Sequence, residues 1–165
     1  MIRPAEARDA IAVAALWNQM IRDTLFTFTT VEKTFEEVSQ LIIDRQASFW
    51  VAEGPDGIEG FVTYGSFRDG PGYAHTKEHT IIMGRAAQGN GTAGALLHHA
   101  QQRAAAQNIR VLVGAISAVN VRALRFHEKH GFTQSGHMRQ VGRKQAQWLD
   151  LIVVQKNLAG TEHSH

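Results

Sequence analysis

The stretch Glu78–Leu97, EHTIIMGRAAQGNGTAGALL, changes character twice. Thr80–Met83 is a short apolar run with β-branched residues, which suits a buried strand. Gln88-Gly89-Asn90-Gly91-Thr92-Ala93-Gly94 cannot continue it, because its glycines let the backbone turn tightly and approach a ligand closely. Ala95, Leu96, Leu97 and Ala100 then open a helix with one apolar face. A helix that begins in such a turn presents bare backbone N–H groups and the positive end of its dipole. That combination binds a phosphate or pyrophosphate.

Two cofactor patterns fit this stretch. Gly89-x-Gly91-x-x-Gly94 matches the dinucleotide fingerprint, which also needs an acidic residue about 20 positions on to hold a ribose hydroxyl. The next strand, Arg110–Ile116, runs into Ser117-Ala118-Val119-Asn120, and no Asp or Glu ends it. The other pattern is Gln88-x-x-Gly91-x-Ala93, which resembles the coenzyme A loop of the GNAT superfamily of N-acetyltransferases. A glycine-rich turn without a ligand is the third reading.

The chain has 165 residues, enough for one domain with a real core. Hydrophobic residues make up 44% and charged residues 19%, as in ordinary globular proteins. A net charge of +2 argues against a nucleic-acid footprint. The absence of cysteine removes disulfides, thiolate catalysis and cysteine zinc sites. MIRPAEARDA has no apolar core of a signal peptide, and no run approaches the ~18 apolar residues of a membrane span. The expected address is the cytoplasm, with no membrane partner.

Outward from the glycine turn, the pattern predicts one α/β (α+β) domain over residues 1–158, with a mixed, mostly antiparallel sheet and helices on both faces. Met1–Pro4 reads as a short strand. Asp9 is placed to cap a helix over Ala10–Arg22, and Thr34-x-x-Glu37 is a capping box opening another to about Gln46. Phe49–Glu53 and Ile58–Phe67 form a hairpin around Gly54-Pro55-Asp56-Gly57. A strand is expected over Tyr73–Met83 and a helix from Gly91 to about Gln107. Asn120 caps a helix over Val121–Lys129. Phe132–Val141 and Trp148–Val154 are strands joined near Gly142-Arg143-Lys144. Ala159–His165 reads as a flexible tail.

Three further stretches carry a family resemblance. They are Asn120-x-x-Ala123-Leu124-Arg125-Phe126-His127-Glu128-Lys129-His130-Gly131-Phe132, Tyr73-x-x-Thr76-x-Glu78-x-Thr80, and Gly142-x-Lys144-x-x-x-Trp148-x-Asp150. Together they resemble the phosphinothricin and methionine sulfone/sulfoximine acetyltransferase branch of the GNAT superfamily. The resemblance implies a bent sheet that splays beside the cofactor strand, and acetyl-CoA as co-substrate. It implies pantetheine bonded to the backbone at Ile81, Ile82 and Met83, with the pyrophosphate on Gly89–Gly94. Asn120 and Lys129 complete that site, and a homodimer is expected. The chain departs from the pattern with Gln88 and Arg85 where relatives usually have Arg and Pro. It also has Gly70 where many have a second basic residue, and Gln145-Ala146 where Phe-Gly is common.

N-acetylation needs an uncharged amine, so a base must take the amine's proton. Glu78, just before the cofactor strand, is the candidate base, and a partly buried carboxylate there would have a raised pKa. His127 occupies the position where many acetyltransferases place a tyrosine, and histidine can donate a proton to the departing thiolate. Arg68 can grip an acceptor carboxylate, or be a solvated arginine at a strand end. Tyr73 and Trp148 can wall a pocket, or be core. The histidine pairs His127/His130 and His75/His79 invite a metal, but no carboxylate–histidine set completes a site, and no metal is expected. The small-amine reading competes with three others: acetylation of a protein N-terminus or polyamine, a non-catalytic acyl-CoA-binding module, and a nucleotide-binding dehydrogenase.

Overall fold

Residues 1–158 are described by the computed structural model, and the tail expected over Ala159–His165 lies outside them. In chain order the elements are β1 (Ile2–Pro4), α1 (Ala10–Asp23), α2 (Phe35–Asp44), β2 (Phe49–Gly54), β3 (Gly57–Ser66) and β4 (Thr76–Met83). After these come α3 (Thr92–Ala106), β5 (Val111–Ser117), α4 (Val121–Lys129), β6 (Thr133–Lys144) and β7 (Gln147–Asn157). One seven-stranded sheet runs β1-β2-β3-β4-β5-β7-β6. Only β4 and β5 are parallel; every other neighbouring pair is antiparallel. The expected mixed sheet with helices on both faces is the observed one.

Alternation along the central strands feeds two cores. Phe49, Val51, Phe61 and Ile82 face α1 and α2, meeting Val13, Ala14, Val38 and Ile42. Trp50, Val62 and Tyr64 face the other way, onto Leu96, Leu97 and Ala100 of α3. Neighbouring residues such as Phe61 and Val62 thus serve opposite faces, as strand geometry requires. Each buried Val, Leu, Ile or Phe among them contributes about 1.5–3 kcal/mol of transfer free energy. No helix among the described residues is long and apolar enough to cross a membrane.

Three local expectations are corrected. Asp9 does not cap α1 through its side chain. A 3-10 turn over Ala7–Asp9 precedes the helix and puts Asp9 in helical backbone, whereas a capping side chain works from an extended one. Its carboxylate instead takes a fork of bonds from Arg3 at 2.8 and 2.9 Å, and a third from the Glu6 amide at 2.8 Å. Thr34 does cap α2, accepting from the Glu37 amide.

The second correction concerns β4, which begins at Thr76. Pro71–Tyr73 forms a 3-10 turn in which proline takes the first position, so Tyr73 precedes the strand. Third, Gly142–Lys144 belongs to β6, and the chain reverses at Gln145-Ala146, both with positive φ. Gly142 and Lys144 point inward: a Cβ on Gly142 would stand 2.3 Å from the Phe28 ring. Buried Lys144 donates to the carbonyls of Ile21 and Thr27 at 2.7 and 2.9 Å. Those contacts hold the loop after α1 against the end of β6.

Candidate active site

β4 pairs with β3 throughout, from Lys77 opposite Ser66 to Met83 opposite Gly60. With β5 it pairs only over Thr76–Glu78, opposite Val111–Val113. Past Glu78 the two parallel strands part. The direction of the freed backbone groups follows from the alternation of a strand. Gly84 N–H donates to Glu59 O of β3, while His75 O accepts from the amides of Arg110 and Val111. Odd-numbered residues of β4 therefore turn their backbone toward β5, and even-numbered ones toward β3. Ile81 and Met83 present unpaired amide edges to the gap. Ile82 is paired with β3 and cannot share that role, which corrects the expectation that all three do.

The gap widens into a cleft of about 1100 Å³. One wall is β4 from Glu78 to Met83; the other is Gly114–Ile116 of β5 with Asn120, Ala123, Phe126 and His127 around α4. At one end lie Gln88, Gly89, Gly91, Ala93 and Gly94 at the start of α3. Gly89 and Gly91 both have φ of +85°, a region that strongly favours glycine, and a Cβ on either would meet no protein atom within 4 Å. The cradle is therefore open on the side where a ligand would lie. Asn90 Oδ1 accepts from the Thr92 amide and braces the turn, while Gly94 lets His130 of the α4 end pack against α3. Arg122 donates to Gln88 Oε1 at 2.7 Å, bringing a guanidinium to the position where the sequence lacks one. Lys129 lines the same end, and Asn120 caps α4 by accepting from the Ala123 amide.

At the other end the cleft is bounded by Leu16, Gln19 and Met20 of α1, with Thr24 and Phe26 of the loop that follows. Sequence reasoning missed the α1 residues, because the apolar face of an amphipathic helix reads as core along its whole length. Glu78 points to this side. Solvent reaches its side chain, yet the surrounding protein raises its carboxyl pKa above the ordinary value, and the positive charge of Arg45 opposes the rise. Arg45 went unnoticed in the sequence, since nothing in a helix C-terminus marks an arginine that folds back over a sheet.

His127 is buried on the far side of β4 and forms a pair with buried His79, Nε2 to Nε2 at 2.8 Å. Its Nδ1 lies 2.8 Å from the Ala123 carbonyl, which can only accept, so Nδ1 carries the proton. His127 Nε2 is then the acceptor, and His79 Nε2 the donor. Burial lowers the pKa of both rings, that of His79 to about 3. His79 fills the root of the gap, against Gly114 and Phe132. Its Nδ1 makes no hydrogen bond among the described residues.

The remaining expected residues stand apart from the cleft. Arg68 is exposed in the loop after β3 and lies over the Phe67 ring at 5.6 Å. Tyr73 meets the same ring edge-on and is 46% exposed. Trp148 is 60% exposed beside the β6–β7 turn, with Arg143 over its ring at 4.4 Å, so it belongs to neither core nor cleft.

Comparison with known proteins bears on the fold and the family. Residues 2–153 match the acetyltransferase (GNAT) domain family. An L-methionine sulfoximine/L-methionine sulfone acetyltransferase of Pseudomonas paraeruginosa is 32% identical over 171 residues, covering 97% of this chain and 95% of that protein. A phosphinothricin N-acetyltransferase of Streptomyces coelicolor is 28% identical, covering 95% of each chain. The structure of yncA from Salmonella typhimurium, solved with its cofactor acetyl-CoA, superposes with a TM-score of 0.93. It is 28% identical and covers 100% of this chain and 96% of that one. By the domain match along nearly its whole length, and by a relative that shares almost a third of its residues, this chain belongs to the GNAT family of acetyltransferases.

Proposed function

We propose that the protein transfers an acetyl group from acetyl-CoA to the α-amine of a small amino-acid analogue, of the methionine sulfoximine, methionine sulfone or phosphinothricin type. The observation that carries this reading is the gap between β4 and β5, with an open glycine cradle at one end and a carboxylate at its root. The names of the relatives supply the acceptor class. Acetyl-CoA supplies a thioester, whose acetyl group an uncharged amine can take while a thiolate leaves.

The chain's residues divide the rest of the work. Gln88–Gly94 and the first amides of α3 hold the pyrophosphate, with Arg122 and Lys129 adding positive charge and Asn120 bordering the site. Ile81 and Met83 offer backbone groups to the pantetheine amides. Glu78 accepts the proton of the acceptor amine. Arg68 and Tyr73 stand outside the cleft and are given no part in this reading. His127 has both nitrogens engaged, so its part is to fix His79 and the wall of the gap rather than to hand a proton to sulfur. A thiolate with a pKa of about 8.5 leaves without that help. The cytoplasm and a homodimer complete the reading; the exposed Met138, Val141 and Trp148 of the β6–β7 edge support the second.

The test is release of free thiol from acetyl-CoA with methionine sulfoximine, methionine sulfone, phosphinothricin, a polyamine and a peptide amine. The proposal expects the first three to be acetylated, and Glu78→Gln to lower their rate by on the order of 10²–10⁴ while leaving coenzyme A binding intact. Acetylation of the peptide or polyamine alone would replace the acceptor class.

A further inference from the structure

Gly65 poses a question that its own backbone does not answer. Its φ is not positive, so its conformation is open to any residue, and it pairs with Glu78 across the β3–β4 ladder. What excludes a side chain is space: a Cβ there would stand 2.3 Å from Arg45 Nη2 and 2.6 Å from its guanidinium carbon. Cβ atoms of directly paired residues lie about 4.5–5.5 Å apart. The guanidinium therefore occupies the place of a cross-strand partner for Glu78. Arg45 Nη1 leans on Thr63 Oγ1 at 3.4 Å, one pair further along the same face. No carboxylate comes within 4 Å of Arg45 among the described residues, Glu78 included. A half-buried cation held over a glycine, close to a carboxylate but not bonded to it, is an arrangement with a function.

We propose that Arg45 is the positioning residue of the base: seated on Gly65 opposite Glu78, it keeps that carboxylate ionised without capturing it. The inference rests on Glu78 being the base. A carboxylate in a cleft that closes around two substrates tends to take up a proton and stop working as one. A direct ion pair would have the opposite fault, making Glu78 too weak a base. Charge beyond contact range gives the intermediate result. Among the described residues, the other cationic side chains that line the cleft, Arg85, Arg122 and Lys129, come from beyond the Met83 end of β4 and from α4. The cleft residues from α1 and its loop are Leu16, Gln19, Met20, Thr24 and Phe26, all uncharged. β5 presents Val113 to Glu78. Lys77 and His79, the flanking residues of β4, direct their side chains to the opposite face of the sheet. The opposing influences on the Glu78 carboxyl agree with this picture: burial pushes its pKa up and Arg45 pulls it down.

The test is the pH profile of kcat/KM for the parent, Arg45→Met, Arg45→Lys, Gly65→Ala and Glu78→Gln. In Arg45→Met the acid limb should move to higher pH. Activity should fall roughly tenfold below the limb and stay near the parental plateau above it, since an opposite charge within several ångströms shifts a carboxyl by one unit or more. Arg45→Lys should restore the limb. Gly65→Ala keeps the charge but drives it off its seat, and should move the limb in the same direction as Arg45→Met. An unmoved limb in Arg45→Met, or a loss equal at every pH, would overturn the proposal. So would a raised KM confined to carboxylate-bearing acceptors with the limb in place, which would make Arg45 an acceptor clamp. Glu78→Gln separates the two readings. If it is crippled while Arg45→Met keeps the parental limb, only the role of Arg45 falls; if it is as active as the parent, the base reading falls and takes this one with it.

Discussion

His79 and His127 show how two hydrogen bonds weigh on a chemical role. Seen along the sequence, His127 is an ionisable side chain on a helix beside the cofactor, and its ordinary pKa suits a proton donor. In the fold, the Ala123 carbonyl fixes its tautomer and His79 consumes its second nitrogen. Both rings are buried and held neutral. His127→Ala should therefore act mainly on stability. It leaves the buried Nε2–H of His79 without an acceptor, at a cost of about 1–3 kcal/mol before any cavity term. Thermal melting would show the loss, and the alkaline side of the kcat profile should keep the parental shape. A lost alkaline limb would return His127 to the role of direct acid. No signal in the sequence points to His79 as the partner, because the two residues are 48 positions apart.

Two elements carry the geometry of the cleft. The turn into α3 was legible in the sequence, since glycine spacing after a strand and before an apolar helix has few other uses. Gly91→Val tests it. With φ at +85° the substitution strains the backbone by about 1–2 kcal/mol, and its side chain fills the open cradle. Calorimetry should show coenzyme A binding abolished in a protein that still folds. The loop between α1 and α2 was less legible. Two phenylalanines in such a loop suit a cover over a pocket and a place in the core alike. The structure divides them: Phe26 lines the cleft, and the Phe28 ring occupies the space over Gly142. Buried Lys144 ties the same loop and the end of α1 to β6. Lys144→Met removes those two bonds and leaves the carbonyls of Ile21 and Thr27 short of a partner. KM for the acceptor should rise severalfold with coenzyme A affinity unchanged, which is the mark of a loosened acceptor wall.

Across the whole molecule, the N-terminal strand is held by a charge network whose effect depends on pH. Asp9 is buried, and the bonds from Arg3 hold its carboxyl below the usual range. A carboxyl whose folded pKa is depressed stabilises the protein above its unfolded pKa, and that contribution is lost as pH falls through the folded value. Acid unfolding should therefore set in below the ordinary aspartate range, about 3.9. In Arg3→Met it should begin at higher pH, and stability near neutrality should fall by about 3 kcal/mol because Asp9 is left buried and unpaired. Denaturant melts from pH 7 to pH 3 would test both statements. The sequence by itself determined the α/β class, the order of elements, the glycine cradle and the helix caps at Thr34 and Asn120. These depend on neighbours within a few positions, where backbone sterics and local hydrogen bonds decide. It misjudged Asp9, whose carboxylate is taken by Arg3, 6 positions away, in place of the helix end, and the β6–β7 turn, where Lys144 meets the Ile21 and Thr27 carbonyls, 123 and 117 positions away. Tertiary structure alone decided which backbone amides of β4 face the gap, where the strands part, and which charge stands over Gly65. Those are facts of register and close approach between segments, and no spacing along a single strand encodes them.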